Sequence, residues 1–226
     1  MRRETTSVSQ EDYLKAIWET VQEEQVPISA RLAEDLGVTP PAVTAALKRM
    51  ARAGYLRVRS GGRIELSPRG KAVAHHLVLR HRLAEKLLTE VIGLEWSRAH
   101  EEAERFEHGI SPEVARLLLK RFGRDARCPH GVPLFGGMSR LRRKYGAVRL
   151  SDAKVGRTYE ILRVYERDTQ FLEFLEQRNL RPSARVQVLG REYDETMSVI
   201  VGNGRSSNQI HLGKPATERI WVRQSS

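Results

Sequence analysis

Hydrophobic positions first recur at helical spacing in "SQEDYLKAIWETVQEE", where Tyr13, Leu14, Ile17, Trp18 and Val21 share one face and predict a helix with one buried side. Ser9, followed three residues later by Asp12, is close to a capping box and places the helix start there. After Pro27, the residues Ile28, Leu32 and Leu36 predict a short helix that Gly37 stops. Thr39 stands where it can cap the next helix, with Pro40 and Pro41 in the first turn, where a missing N–H does no harm. That helix runs through Val43, Ala46, Leu47 and Met50 towards Gly54. The period then changes to two, and the short alternating runs in "YLRVRSGGRIELS" flank Ser60-Gly61-Gly62 as a β-hairpin. Helix, helix, tight turn, helix, hairpin is the order of a winged helix-turn-helix.

From Lys71 to about Phe122 the pattern is largely helical, with a long helix from Val73 to Ile92, a second from Ser97 to His108 and a third from Val114 to Phe122. A helical block of this length outside the DNA-reading unit points to oligomerisation. "GRDARCPHGVPLFGG" breaks all periodicity with Gly and Pro and reads as a linker. Beyond it, "RTYEILRVYE", "ARVQVLGREY", "MSVIVGN", "SNQIHLG" and "ERIWVRQ" alternate, with one helical insert, "TQFLEFLEQRNL", and so predict a small β-barrel. The expected organisation is a mainly α chain with a C-terminal β domain: residues 1–72 for DNA binding, 73–137 helical with the linker, and 138–226 for the barrel.

Charge sharpens this picture. The 226 residues carry a formal net charge of +11, which favours a polyanionic partner, nucleic acid first. At the start of the second helix of the helix-turn-helix, Thr39, Pro41, Ala42, Thr44 and Lys48 are the residues that would reach a major groove. Thr39 and Thr44 can hydrogen-bond to bases or phosphates, and Pro41 and Ala42 can pack on thymine methyls. Arg31, Lys48, Arg49 and Arg52, with Arg57, Arg59 and Arg63 of the wing, supply charge for the phosphate backbone. No apolar run approaches the roughly 18 residues of a membrane span, and "MRRETTSVSQEDYLK" lacks the apolar core of a signal peptide, so no membrane partner is expected. The single cysteine, Cys128, excludes an internal disulfide framework and suits a reducing cytoplasm. No Ser/His/Asp ordering, Walker loop or G-x-G-x-x-G after a strand gives catalysis a seat.

One stretch runs against the basic background. "HEEAERFEH", His100 to His108, gathers two histidines and four glutamates into nine residues. On an ideal helix His100, Glu104, Glu107 and His108 fall within roughly 100° of one another. In "RHRLAEKLL", His81 and Glu85 stand one turn apart on the preceding helix. Either segment alone reads equally well as a solvated face. Together, on consecutive helices joined by "GLEWS", they can bring imidazoles and carboxylates into one site. A mixed N/O ligand set without thiolate suits manganese or ferrous iron better than copper(I) or an iron–sulfur cluster, and it also accommodates zinc. His75 and His76 lack a spaced acid and read as interface or surface residues, Cys128 with His130 looks like a metal pair but in its Gly/Pro-rich context reads first as a structural turn, and His211 reads as a surface residue.

The chain resembles the DtxR/MntR family of metal-dependent transcriptional repressors over nearly its whole length. The resemblance rests on "EDYLKAIWE", "LGVTPPAVTAALKRMARAGYL", "ELSPRGKAVA", "RHRLAEKLLTEVIGL", "HEEAERFEHGIS" and "CPHGVP". It implies a winged-helix domain, a helical dimerisation and metal-binding domain and an SH3-like (FeoA-like) barrel. It further implies a primary metal site of Asp12, Glu104, Glu107 and His108, and an ancillary site of His81, Glu85 and His100 completed from the barrel by Glu166, with Gln170 as the alternative. Iron-responsive members carry methionine at the Asp12 position and cysteine at the Glu104 position; the hard oxygen donors here favour Mn(II) over Fe(II). Short, barrel-less members carry a glutamate shared by two ions where this chain has Lys15, so the spaced two-site arrangement is expected instead. The implied function is a Mn(II)-activated repressor of metal-uptake genes that binds a palindromic DNA operator as a homodimer. An Fe(II)-responsive repressor and a metal-independent DNA-binding protein are the alternatives.

Overall fold

The computed structural model describes residues 7–202 and 207–225. The first helix, α1 (Val8–Gln22), starts two residues earlier than the Ser9 signal: Ser7 is the N-cap, and its partner in the capping box is Gln10. The Gln10 side chain is long enough to return to the Ser7 amide, whereas Asp12 turns towards His108. Helices α2 (Ser29–Asp35) and α3 (Pro40–Arg52) and the hairpin of β1 (Leu56–Val58) and β2 (Ile64–Leu66) close over α1 around Leu14, Ile17, Leu32, Val43, Met50, Leu56 and Ile64. Thr39 holds the N-cap position of α3, but its hydroxyl makes no capping bond.

The long helix α4 (Pro68–Leu87) begins before Val73 because Ser67 caps the Gly70 amide and Pro68 occupies the first turn. Gly70 cannot be larger: a Cβ there would sit 2.1 Å from the Tyr55 carbonyl oxygen. The chain continues as a π turn, Leu88–Ile92, and leaves the helix at Gly93 with φ +83°. Short 3₁₀ turns at Trp96–Arg98 and Glu107–Gly109 bracket α5 (Ala99–Phe106), and α6 (Pro112–Phe122) follows. α5 buries Ala99 and Ala103, whose small side chains let it lie close to its neighbours.

The segment 123–137 is not a free linker. Cys128, His130, Val132 and Leu134 are buried, and Arg82 of α4 donates to the carbonyls of Pro133, Leu134 and Gly136 at 2.8, 3.3 and 3.1 Å. The missing periodicity reflects a chain whose carbonyls are bonded by a buried guanidinium rather than by a ladder. After α7 (Met138–Tyr145) come β3 (Val148–Arg149), β4 (Thr158–Val164), α8 (Thr169–Glu176), β5 (Arg185–Arg191), β6 (Met197–Val201), β7 (Asn208–Leu212), α9 (Lys214–Thr217) and β8 (Ile220–Gln224). The strands form a six-stranded antiparallel, SH3-like sheet in the order β3-β8-β4-β5-β6-β7. That is one strand more than the five expected, because the two residues of β3 are too short to alternate. The sheet meets α1 through charge: Arg163, buried, reaches Glu23 and Glu166, and Arg167 lies 2.6 Å from Glu19 and 3.6 Å from Asp35.

Candidate metal centre

α4, α5 and the 123–137 segment place a carboxylate among three imidazoles. Glu85, 1% exposed, turns Oε1 towards His81 Nε2 at 3.2 Å, His100 Nδ1 at 3.1 Å and His130 Nδ1 at 3.1 Å. Burial pushes the Glu85 carboxyl up, but the fields of His130 and His81 and the bonds from the rings hold it well below the usual range. His130 is fixed from its other side, with Nε2 3.2 Å from the Trp96 carbonyl oxygen. Burial, reinforced by Glu85 and Glu166, raises the Cys128 thiol well above its ordinary value. Glu85, Cys128 and His130 present ligand atoms within 4.8 Å of one another, as do His81, His100 and Glu104, and Asp12, Glu107 and His108.

The third group crosses from α1 to the end of α5. His108 Nε2 lies 3.0 Å from Asp12 Oδ1, and its Nδ1 lies 2.9 Å from Glu11 Oε2. Burial pushes the Asp12 carboxyl up and Glu107 adds to it, against the pull of His108 and Lys15. Lys15, 3% exposed, occupies the middle of the assembly. Its Nζ stands 2.7 Å from Glu104 Oε1, 2.8 and 3.0 Å from the two oxygens of Glu107, and 3.0 Å from His81 Nδ1. Burial alone would lower the ammonium; Glu19, Glu107 and Glu104 outweigh it and raise it. His81 is pushed up to about 10, because Glu85 and Glu107 overcome burial and the nearby Lys15. Lys15 Nζ and His81 Nδ1 thus stand 3.0 Å apart among carboxylates. An ion that takes a nitrogen of His81 must displace any proton carried there. The donor chemistry fits a divalent metal, since every group combines imidazole with carboxylate. A cavity of about 250 Å³ lined by Asp12, Lys15, Glu19, His100, Glu104 and Arg167 gives access from solvent.

Asp12, Glu107 and His108 come together, but Glu104 does not face them. It turns to Lys15 and lies 3.6 Å from His100 Nε2 and 3.9 Å from His81 Nδ1. Glu85 joins both His81/His100 and the Cys128/His130 turn. Glu166 is bonded to Arg163 at 3.1 Å, and Gln170 is exposed. Sequence reasoning does not assign Cys128 and His130 to a cluster with Glu85, nor Glu11 to the contact with His108. The Cys-x-His spacing is visible, but its carboxylate partner lies 43 residues upstream, where no local pattern connects them.

On α3, Thr39, Pro41, Ala42, Thr44 and Lys48 are exposed on the side opposite Val43, Leu47 and Met50, and Thr44 Oγ1 donates to the Pro40 carbonyl at 3.0 Å. Arg31 instead lines a cleft of about 380 Å³ between α2 and the sheet. Arg59 and Arg63 of the wing pair with Glu65, and Arg57 is exposed. Several apolar side chains of the helical unit are exposed as well: Val91 and Ile92 of the π turn, Phe106, and Val114 and Leu117 of α6. No helix among the described residues is long and apolar enough to cross a membrane.

Comparisons with known proteins agree with this layout. Residues 5–61 match the family model for the iron dependent repressor N-terminal DNA binding domain, 67–136 that for the iron dependent repressor metal binding and dimerisation domain, and 148–224 the FeoA domain. The diphtheria toxin repressor of Corynebacterium diphtheriae is 33% identical over 198 residues, covering 83% of this chain and 87% of that protein. The iron-dependent repressor IdeR of Mycobacterium tuberculosis is 41% identical over 126 residues, 56% of this chain and 55% of its own length. Among solved structures, a manganese-dependent transcriptional repressor in complex with manganese superposes with a TM-score of 0.83 at 28% identity, covering 96% of this chain and all of that one. ScaR with bound Zn²⁺ gives 0.75 at 26% identity, covering 96% and 99%. The chain belongs to the iron-dependent, or diphtheria toxin, repressor family of metal-dependent transcriptional repressors.

Proposed function

We propose that this protein is a Mn(II)-activated repressor that binds a palindromic operator of metal-uptake genes as a homodimer in the cytoplasm. The observation that carries the reading is the seam between α1 and α5. There Asp12 belongs to the helix that supports the DNA-binding unit, and Glu107 and His108 belong to the helical unit. Asp12, Glu107 and His108 would hold one ion, and His81 and His100 with Glu104 a second; the ion supplies divalent charge that draws these carboxylates together. Fixing α1 against α5 sets the orientation of α3 on each protomer, and with it the spacing of two half-sites. Metal then acts by differential affinity for the DNA-competent arrangement. Thr39, Pro41, Ala42, Thr44 and Lys48 would meet base edges, and Arg31 and the wing arginines the phosphates. The exposed apolar residues of the π turn and α6 suit the dimer face.

Carboxylate oxygen at Asp12 and Glu104 favours Mn(II). A second reading, Fe(II), is supported by the 41% identity to an iron-dependent repressor and by the Cys128 thiol beside Glu85 and His130. The test is binding to a duplex that the protein selects from a random pool, titrated anaerobically with Mn(II), Fe(II) and Zn(II). Affinity should rise most steeply with Mn(II); an unchanged affinity with every ion would leave a metal-independent DNA-binding protein.

A further inference from the structure

Lys15 is the one lysine or arginine held within hydrogen-bonding distance of residues from two of the three clusters among the described residues. Its stem runs from α1, and its ammonium meets Glu104 of α5, both oxygens of Glu107 beyond α5, and His81 Nδ1 of α4. Glu107 is fully buried, so water does not compete for the contact. These partners belong to two of the clusters that could hold a divalent ion: Glu104 and His81 to one, Glu107 to the other. The single lone pair of a His81 ring nitrogen cannot serve an ammonium and a metal ion at once, and an ion held by the same carboxylates would lie a few ångström from the ammonium and be repelled by it.

We propose that Lys15 is a built-in competitor for the metal: it braces α1 against α4 and α5 in the ion-free protein, and must leave Glu104, Glu107 and His81 before a divalent ion is taken up there. The inference rests on reading the clusters as metal sites. It has a consequence that a purely structural lysine would not share. Removing the ammonium weakens the ion-free fold while strengthening metal binding, because the site no longer has to expel its own cation. A lysine that merely props the site open would change both in the same direction.

The experiment compares wild type with Lys15→Gln and Lys15→Met, the latter preserving the packing of the aliphatic stem. Free Mn(II) is counted by electron paramagnetic resonance, and melting is followed on the ion-free proteins. The expected result is a lower melting temperature together with Mn(II) binding tighter by about tenfold or more. Unchanged affinity, or affinity and stability falling together, overturns the inference. If neither variant folds, wild type decides: the Lys15 ammonium resonance, shielded in ion-free protein, should be lost to rapid exchange as diamagnetic Cd(II) is added, and its survival at saturation overturns the inference. Wild type that takes up Mn(II) while the variants match it sinks this inference alone. Wild type that takes up no divalent ion sinks the proposed function as well.

Discussion

Replacing Arg167 with methionine should cost about 2 kcal/mol of stability at neutral pH, by removing one of the charge contacts that tie the C-terminal domain to α1. The guanidinium lies 2.6 Å from Glu19 Oε2 and 3.6 Å from Asp35, and these side chains are only 15–25% exposed. Burial pushes the Glu19 carboxyl up, but Arg167 first and Lys15 second pull it down to about 2 from an ordinary 4.5. At about 1.4 kcal/mol per unit, that depression corresponds to roughly 3 kcal/mol. Lys15 keeps part of it when Arg167 is gone, which leaves about 2 kcal/mol for the substitution. Because the folded-state value is depressed, the stabilisation is present above pH 4.5 and is lost as pH falls towards 2. By pH 3 more than half of that roughly 3 kcal/mol has gone. Urea unfolding followed by circular dichroism, at one protein concentration, should therefore show a gap between wild type and Arg167→Met of about 2 kcal/mol at pH 7 that narrows to about 1.3 kcal/mol at pH 3. A gap below about 0.5 kcal/mol at pH 7, or one that does not shrink with acid, refutes the reasoning.

Thr39→Ala should lower operator affinity by about 1–3 kcal/mol while leaving random DNA nearly unaffected, measured by fluorescence anisotropy; equal losses on both would make Thr39 a phosphate contact. Leu117→Asp should place a charge in the exposed apolar surface of α6 and turn the dimer into monomers in sedimentation velocity, whereas an intact dimer would move the interface elsewhere. Gly131 has φ +91°, and a Cβ there would stand 2.0 Å from the Leu162 carbonyl oxygen, so Gly131→Ala should destabilise the protein by about 2 kcal/mol or more in thermal melts.

Elements that bury one face are legible in the amino-acid pattern. The spacing of Leu14, Ile17, Val43, Leu47 and Met50 marks helices because those side chains share one core, and the short apolar runs mark strands, of which β5 buries alternate residues while β4, β6 and β8 bury most of theirs. α7 is invisible to periodicity because "MSRLRRKY" buries little more than Met138 and Leu141 among charged residues. The 123–137 segment reads as loose because its bonding partners, Arg82 and the edge of β4, are distant in sequence. At the candidate site, an ideal helix puts His100, Glu104, Glu107 and His108 on one face. The chain instead tightens into a 3₁₀ turn at Glu107–Gly109, so His108 swings to Asp12 and Glu11 while His100 stays with Glu85. Residue types announce the chemistry, but the division into clusters depends on that turn and on Lys15, which no periodicity encodes.

The most direct measurement is the Mn(II) response of His108→Ala. His108 is the imidazole that meets Asp12 across the α1–α5 seam, and Glu11 and Asp12 on its two sides cannot replace a neutral nitrogen ligand. Wild type and His108→Ala, both verified as folded dimers, are titrated with Mn(II) against the selected duplex. Wild type should gain DNA affinity by about a hundredfold or more, whereas His108→Ala should stay at its metal-free affinity. A His108→Ala dimer that gains as much as wild type would contradict metal coupling through this seam.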